Sequence, residues 1–171
     1  MKYTWILFLS LTIFGCRGTE EIEEQQEGTA QLQIVSIGGS ITENVVDLGL
    51  LNNIVGIDIT SNYPESVMSK KQLGHSSGIT GEGIISTKAN LVLAFDGKLN
   101  KKILSGLDKA GIKYHLFKEP QSLEEAYAFL NELGEVLGKE KEAKELVEKL
   151  KDELAAAEPL NKKVVFVYAR G

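Results

Sequence analysis

A chain of 171 residues with 19 Lys and Arg against 24 Asp and Glu carries a formal net charge of −5. That balance excludes the basic face expected of a nucleic-acid-binding domain. A single cysteine excludes an internal disulfide, and two histidines leave little from which to build a nucleophile–base pair.

The chain opens with Lys2, an apolar stretch from Trp5 to Phe14 broken only by Ser10 and Thr12, and then Gly15 and Cys16. This is a positive start, a short hydrophobic run and a small residue at a cleavage site, the pattern of an export signal. About ten apolar residues are too few to cross roughly 30 Å of hydrocarbon as a helix. Ile13-Phe14-Gly15-Cys16 resembles a bacterial lipobox, which implies cleavage before Cys16 and lipidation of that cysteine. The alternative is ordinary signal cleavage that leaves a free thiol. Residues 17–30 set Arg17 against Glu20, Glu21, Glu23, Glu24 and Glu27, so most of the net charge resides there. With so little apolar surface, this segment reads as a solvated tether.

From residue 31 the pattern becomes that of a folded α/β unit. Residues 33–37 read as a strand, Gly38-Gly39-Ser40 as a tight turn, and 41–48 as a short helix ended by Gly49. A second strand, rich in β-branched residues, is expected over 54–59 and a third over 91–95, bounded by Asn90 and by Asp96-Gly97. Residues 99–110 read as a helix capped by Gly111, and 113–117 as a fourth strand. Alternating strands and helices predict a Rossmann-like α/β fold with a mostly parallel sheet.

Helical signals then take over. Ser122 and Glu125 form a capping box, followed by Ala126, Leu130, Leu133 and Leu137 at helical spacing up to Gly138. A second helical run, 139–158, repeats Ala143, Leu146, Val147, Leu150 and Leu154 among Lys and Glu, and Pro159 stops it. Residues 164–168 read as a fifth strand. A buried strand needs neighbours on both edges, so a chain ending at Gly171 suggests truncation or a partner piece elsewhere.

Catalytic signals are missing: the sequence contains no GxSxG, HExxH or P-loop pattern. Its carboxylates gather in the tether and on the long helices, away from the strand ends where α/β sites lie. The expectation is therefore a binding protein and not an enzyme. Gly38-Gly39-Ser40 ahead of a helix either offers backbone N–H groups to an anion or serves only the turn. Tyr63, before Pro64, either lines a cleft or packs. His75 stands in a loop of Gly, Ser and Thr and reads as a solvated histidine or a ligand. His115, between Tyr114 and Leu116, reads as structural.

Three stretches resemble one family: Ile34-Val35-Ser36-Ile37-Gly38-Gly39-Ser40-Ile41-Thr42-Glu43; Val55-Gly56-Ile57-Asp58 with Thr60-Ser61-Asn62-Tyr63-Pro64; and Leu73-Gly74-His75 through Glu82-Gly83-Ile84, continued by Ala89-Asn90-Leu91-Val92-Leu93-Ala94. The family is the periplasmic hemin-binding proteins, within the larger group of ABC-importer solute-binding proteins that take siderophores, cobalamin and heme. The resemblance implies two α/β lobes joined by one long helix, with ligand between them. The organisation it implies is a leader over 1–16, a tether over 17–30, an amino-terminal lobe over 31–138, an interlobe helix over 139–158, and the first strand of a second, largely missing lobe over 162–171. Heme-binding members commonly carry Tyr directly after the Leu-Gly pair and Arg two residues on; here His75 and Ser77 stand at those positions. A neutral imidazole ligates heme iron, so the resemblance implies His75 as axial ligand, with Gly38, Gly39, Ser40 and Tyr63 lining the cleft. The implied cargo is heme, with an iron–siderophore or cobalamin as the alternative. The implied partners are an ABC permease in the inner membrane and the membrane itself through lipidated Cys16, and the implied location is the cell envelope. A rival of another class is a single-lobe lipoprotein with a structural or partner-binding role.

Overall fold

The computed structural model describes residues 31–157 together with 163 and 165. The expected export leader, the tether and, apart from residue 165, the strand at 164–168 lie outside the described residues.

Among the described residues, five strands, β1 (Ile34–Ile37), β2 (Ile54–Ile57), β3 (Lys71–Gln72), β4 (Leu91–Phe95) and β5 (Lys113–Phe117), form one sheet in the order β3-β2-β1-β4-β5. Every pairing is parallel, as the alternation of strands and helices predicts. β1 and β4 are buried at every position, because helices cover both faces of the sheet and leave no solvated side for polar alternation. On one face, Ile41 and Val45 of α1 (Gly39–Asp47) join Phe129, Leu133 and Leu137 of α4 (Leu123–Leu137) over Ile34, Ile57, Leu93 and Phe117. Phe129 packs edge-on against Phe117, with ring centroids 5.1 Å apart. On the other face, Ile84 of α2 (Gly81–Ile85) and Ile103 and Leu107 of α3 (Lys101–Lys109) cover Val35, Ile37, Val92 and Ala94.

The helix ends follow side-chain chemistry. Asn100 Oδ1 accepts from the Ile103 N–H at 3.0 Å, and the Ser122 hydroxyl accepts from the Glu125 N–H at 3.2 Å. Glu125 in turn accepts from the Gln121 N–H at 2.7 Å, so the capping box closes one residue further out than its usual form. Gly138 ends α4 in the left-handed region, which a side chain would strain. The chain then reverses into α5 (Glu140–Ala155), which lies against α4 with Ala143 and Val147 buried and every residue from 151 to 157 exposed.

Three expectations need correction. The helix expected over 41–48 starts at Gly39, and the helix expected over 99–110 spans Lys101–Lys109. The second strand stops at Ile57 instead of 59, because Asp58 turns inward to accept hydrogen bonds. β3 and α2 were not anticipated. β3 is two exposed polar residues long, and its place comes from pairing, not pattern: Leu73 N–H donates to Ile57 O at 2.8 Å. α2 contains Gly81 and Gly83, which disfavour helix; its Thr80 cap and buried Ile84 hold it.

Candidate functional site

In a doubly wound sheet, the carboxyl ends of the strands open a crevice where the winding direction reverses. Here the reversal falls between β1 and β4. The predicted turn leaves β1 at that point. Gly38 caps α1 with φ +123°, a conformation that an L side chain rarely adopts. A Cβ on Gly39 would stand 2.9 Å from the Thr60 carbonyl oxygen, so the turn and the loop after β2 touch backbone to backbone. Ser40 is exposed, and its carbonyl accepts from Asn44 Nδ2 at 2.7 Å.

Beneath this contact lies a buried polar cluster. Asp58 Oδ1 accepts from the Gly38 N–H at 3.1 Å and from Ser61 Oγ at 2.7 Å, and Oδ2 accepts from Thr60 Oγ1 at 2.7 Å. Thr42 Oγ1 is 2.8 Å from Ser36 Oγ and 2.7 Å from Ser61 Oγ. Ser36, Thr42, Asp58 and Ser61 are all at most 2% exposed. Buried polar atoms are tolerated when they satisfy one another, and these do.

The same loop reaches the predicted ligand. Ile59 N–H donates to Gly74 O at 3.1 Å, which sets Ile59 beside the residue preceding His75. His75 is exposed and caps a short 3-10 turn over Ser76–Gly78. Its Nδ1 lies 2.8 Å from Ser77 Oγ and accepts from the Ser77 N–H at 3.3 Å. A neutral imidazole that donates from Nδ1 to the Ser77 hydroxyl presents the Nε2 lone pair outward; the backbone contact favours the opposite tautomer. Tyr63 is 66% exposed, which removes the reading of a core-packed ring, and Ile59 is 52% exposed.

The structure thus links the Gly38–Ser40 turn, the 58–63 loop and the His75 loop through hydrogen bonds. Cys16 lies outside the described residues. His115 stands apart: its Nε2 meets Glu132 Oε1 at 2.7 Å, and its ring centroid lies 4.5 Å from that of Phe117, a structural arrangement between β5 and α4. Among the described residues, no three His, Cys, Asp or Glu side chains group as a metal cage. A separate groove of about 420 Å3 runs between α2 and α3, lined by Ile79, Glu82, Ile85, Lys102 and Lys109 among others. Asp58 and Ser61 belong to a stretch that carries the resemblance and Ile59 to the expected second strand, but none of the three was expected in the site. The Asp-x-Thr-Ser spacing was the available signal, since such residues bond their own turn.

Residues 34–171 match the family model described as periplasmic binding protein. The chain is 33% identical over 124 residues to an ABC transporter substrate-binding lipoprotein of uncharacterized function, YvrC, from Bacillus subtilis, covering 71% of this chain and 39% of that protein. It is 29% identical over 155 residues to a vitamin B12-binding protein of Photorhabdus laumondii, covering 91% of this chain and 54% of that one. Among solved structures, the periplasmic heme-binding protein RhuT from Roseiflexus, in apo form, superposes with a TM-score of 0.69 at 27% identity, covering 74% of this chain and 48% of that one. The chain therefore spans between 39% and 54% of the lengths of these proteins.

Proposed function

Since the chain belongs to the periplasmic binding protein family, we propose that it captures heme outside the inner membrane for delivery to an ABC permease. His75 ligates the iron, and Gly38, Gly39, Ser40 and Tyr63 line the ligand's surroundings. The observation that carries this reading is the His75–Ser77 pair: one ring nitrogen is engaged at 2.8 Å and the imidazole remains exposed. A porphyrin supplies four of its iron's ligands, so one protein nitrogen suffices where a bare ion would need a cage. The likeness to a periplasmic heme-binding protein supports the same cargo. The role is binding and transport, without catalysis.

α5 serves as the interlobe helix within the 139–158 segment, and 162–171 as the start of a second lobe. The exposure of α5 beyond residue 150, including Leu154 at 48%, supports a helix that runs past the body it packs on. Lipidation at Cys16 holds the protein on the membrane. No helix among the described residues is long and apolar enough to cross one.

Cobalamin is the second reading. It is favoured by the likeness to a vitamin B12-binding protein over 91% of this chain.

Titration with hemin, and in parallel with cyanocobalamin, separates the readings. For heme, a Soret band typical of bound heme appears, His75→Ala abolishes or shifts it, His115→Ala leaves it, and His75→Tyr retains binding with a phenolate-like spectrum. A chelate that fills all the metal's positions needs no protein ligand, so His75→Ala would then be neutral. If hemin titrates alike in all three variants, the heme assignment falls.

A further inference from the structure

We infer that Asp58 is a positioning residue, setting the spacing between the Gly38–Ser40 turn and the loop that leads to Tyr63 and His75. The inference rests on the reading that those two loops hold the ligand. Asp58 is 2% exposed, at the carboxyl end of β2. Among the described residues its three donors are a backbone N–H and two hydroxyls, Gly38, Ser61 and Thr60, and no cation is among them. A buried carboxylate is expensive unless its oxygens are hydrogen-bonded, so these bonds hold their donors firmly.

The consequences are geometric. Gly38 begins the turn, and Ser61 sits between Ile59 and Tyr63 on the loop. One carboxylate oxygen, 20 residues from Gly38 in sequence, therefore clamps both segments. At Gly39 they approach to a distance that leaves no room for a Cβ. The Ser61 hydroxyl continues to Thr42 on α1, and Thr42 to Ser36 on β1, so the clamp is anchored in the sheet. On the other side, Ile59 N–H donates to Gly74 O, one residue from His75. A shift at Asp58 thus reaches both the turn and the proposed iron ligand.

The role needs an acceptor oxygen more than a charge. In Asp58→Asn, the amide oxygen still accepts from Gly38 and Ser61, and the exposed Thr60 hydroxyl can rotate to accept from the amide. In Asp58→Ala, the Gly38 N–H loses its partner.

The test is amide hydrogen exchange on the full chain, with hemin titration alongside. In Asp58→Ala, exchange at Gly38 should rise at least about tenfold more than at Val35 and Val92 in the sheet, the scale of one lost hydrogen bond, whereas the Ser61 N–H keeps its bond to the residue 58 carbonyl. Asp58→Asn should restore most of that protection. Hemin affinity should fall about tenfold in Asp58→Ala with the Soret position unchanged, since the iron ligand is intact, whereas His75→Ala moves the band. Should Asp58→Ala fail to fold, Ser61→Ala removes one arm of the clamp and should raise Gly38 exchange by a smaller factor. Unchanged exchange at Gly38, a uniform rise across the sheet, or no rescue by Asp58→Asn would each overturn the inference. Absence of any hemin spectrum in the wild type would instead sink the heme reading, and the exchange comparison would still decide the role of Asp58.

Discussion

Gly134 lies in the last turn of α4, where propensity alone recommends alanine. Exchanging an exposed mid-helix glycine for alanine gains about 1 kcal/mol. Gly134 is buried, however, at the crossing with α5. A Cβ there would sit 2.4 Å from the Ala143 Cβ and 3.0 Å from the Lys139 carbonyl oxygen. Carbon atoms pack at about 3.5–4.0 Å, so the two helices would have to part by about 1 Å or more. Neither obstacle is the mobile end of a long side chain, and both move only with backbone. Overpacking of this kind costs about 1–3 kcal/mol, and separation also loosens Leu133 and Val147. After the propensity gain, Gly134→Ala should destabilise by about 0–2 kcal/mol. Gly106 in α3 is the control. Nothing lies within 4 Å of a Cβ there, so Gly106→Ala should stabilise by about 0.5–1 kcal/mol. Urea denaturation followed by circular dichroism measures both. Adding Ala143→Gly to Gly134→Ala removes the methyl–methyl clash, so the double variant should be less destabilised than the sum of the singles by about 1 kcal/mol. Stabilisation by Gly134→Ala, or strict additivity in the cycle, would refute the close-approach argument.

Gly38→Ala forces a side chain to φ +123° and should cost about 1–3 kcal/mol, read by the same denaturation, while weakening hemin binding through the displaced turn. The Lys118 ammonium, and then the Gln121 N–H, hold the Glu125 carboxyl below its ordinary value of 4.5. A depressed carboxylate pKa stabilises the fold above the unfolded value, and that contribution disappears as pH falls through the folded one. The stability difference between wild type and Glu125→Gln should therefore shrink on acidification from neutrality to about pH 3; a constant difference would discount the ion pair and cap. Cys16→Ser should release the protein from membranes or block its maturation, and membrane fractionation of cells checks this. Normal maturation with unchanged membrane retention would rule out the lipobox reading.

The parallel α/β fold was legible because its strongest signals are local. An uninterrupted apolar run marked β4, a β-branched run broken only by Ser36 marked β1, and Ser122, Gly111 and Gly138 marked helix ends through their own turn chemistry. For Gly38, Gly39, Ser40, Tyr63 and His75 the residues by themselves left two readings each, and only the family resemblance singled them out as candidates. The two elements that escaped, β3 and α2, carry no periodicity of their own. Lys71 and Gln72 become a strand only because β2 lies alongside, and the glycines of α2 become a helix only because Ile84 has a core to enter.

What tertiary structure alone decided is which distant groups meet. Composition and spacing present Asp58 as one polar residue near the end of an expected strand. Its burial and its bond to Gly38 exist only once β1 and β2 lie side by side. Gly134 likewise reads as a weak helix residue until α5 folds back and Ala143 takes the space that a side chain would need. Periodicity and capping are written in neighbouring residues, and a sequence displays them directly. A hydrogen bond across 20 positions, or a methyl group excluded by a second helix, depends on the path of the chain between, and the packing of the whole lobe determines that path.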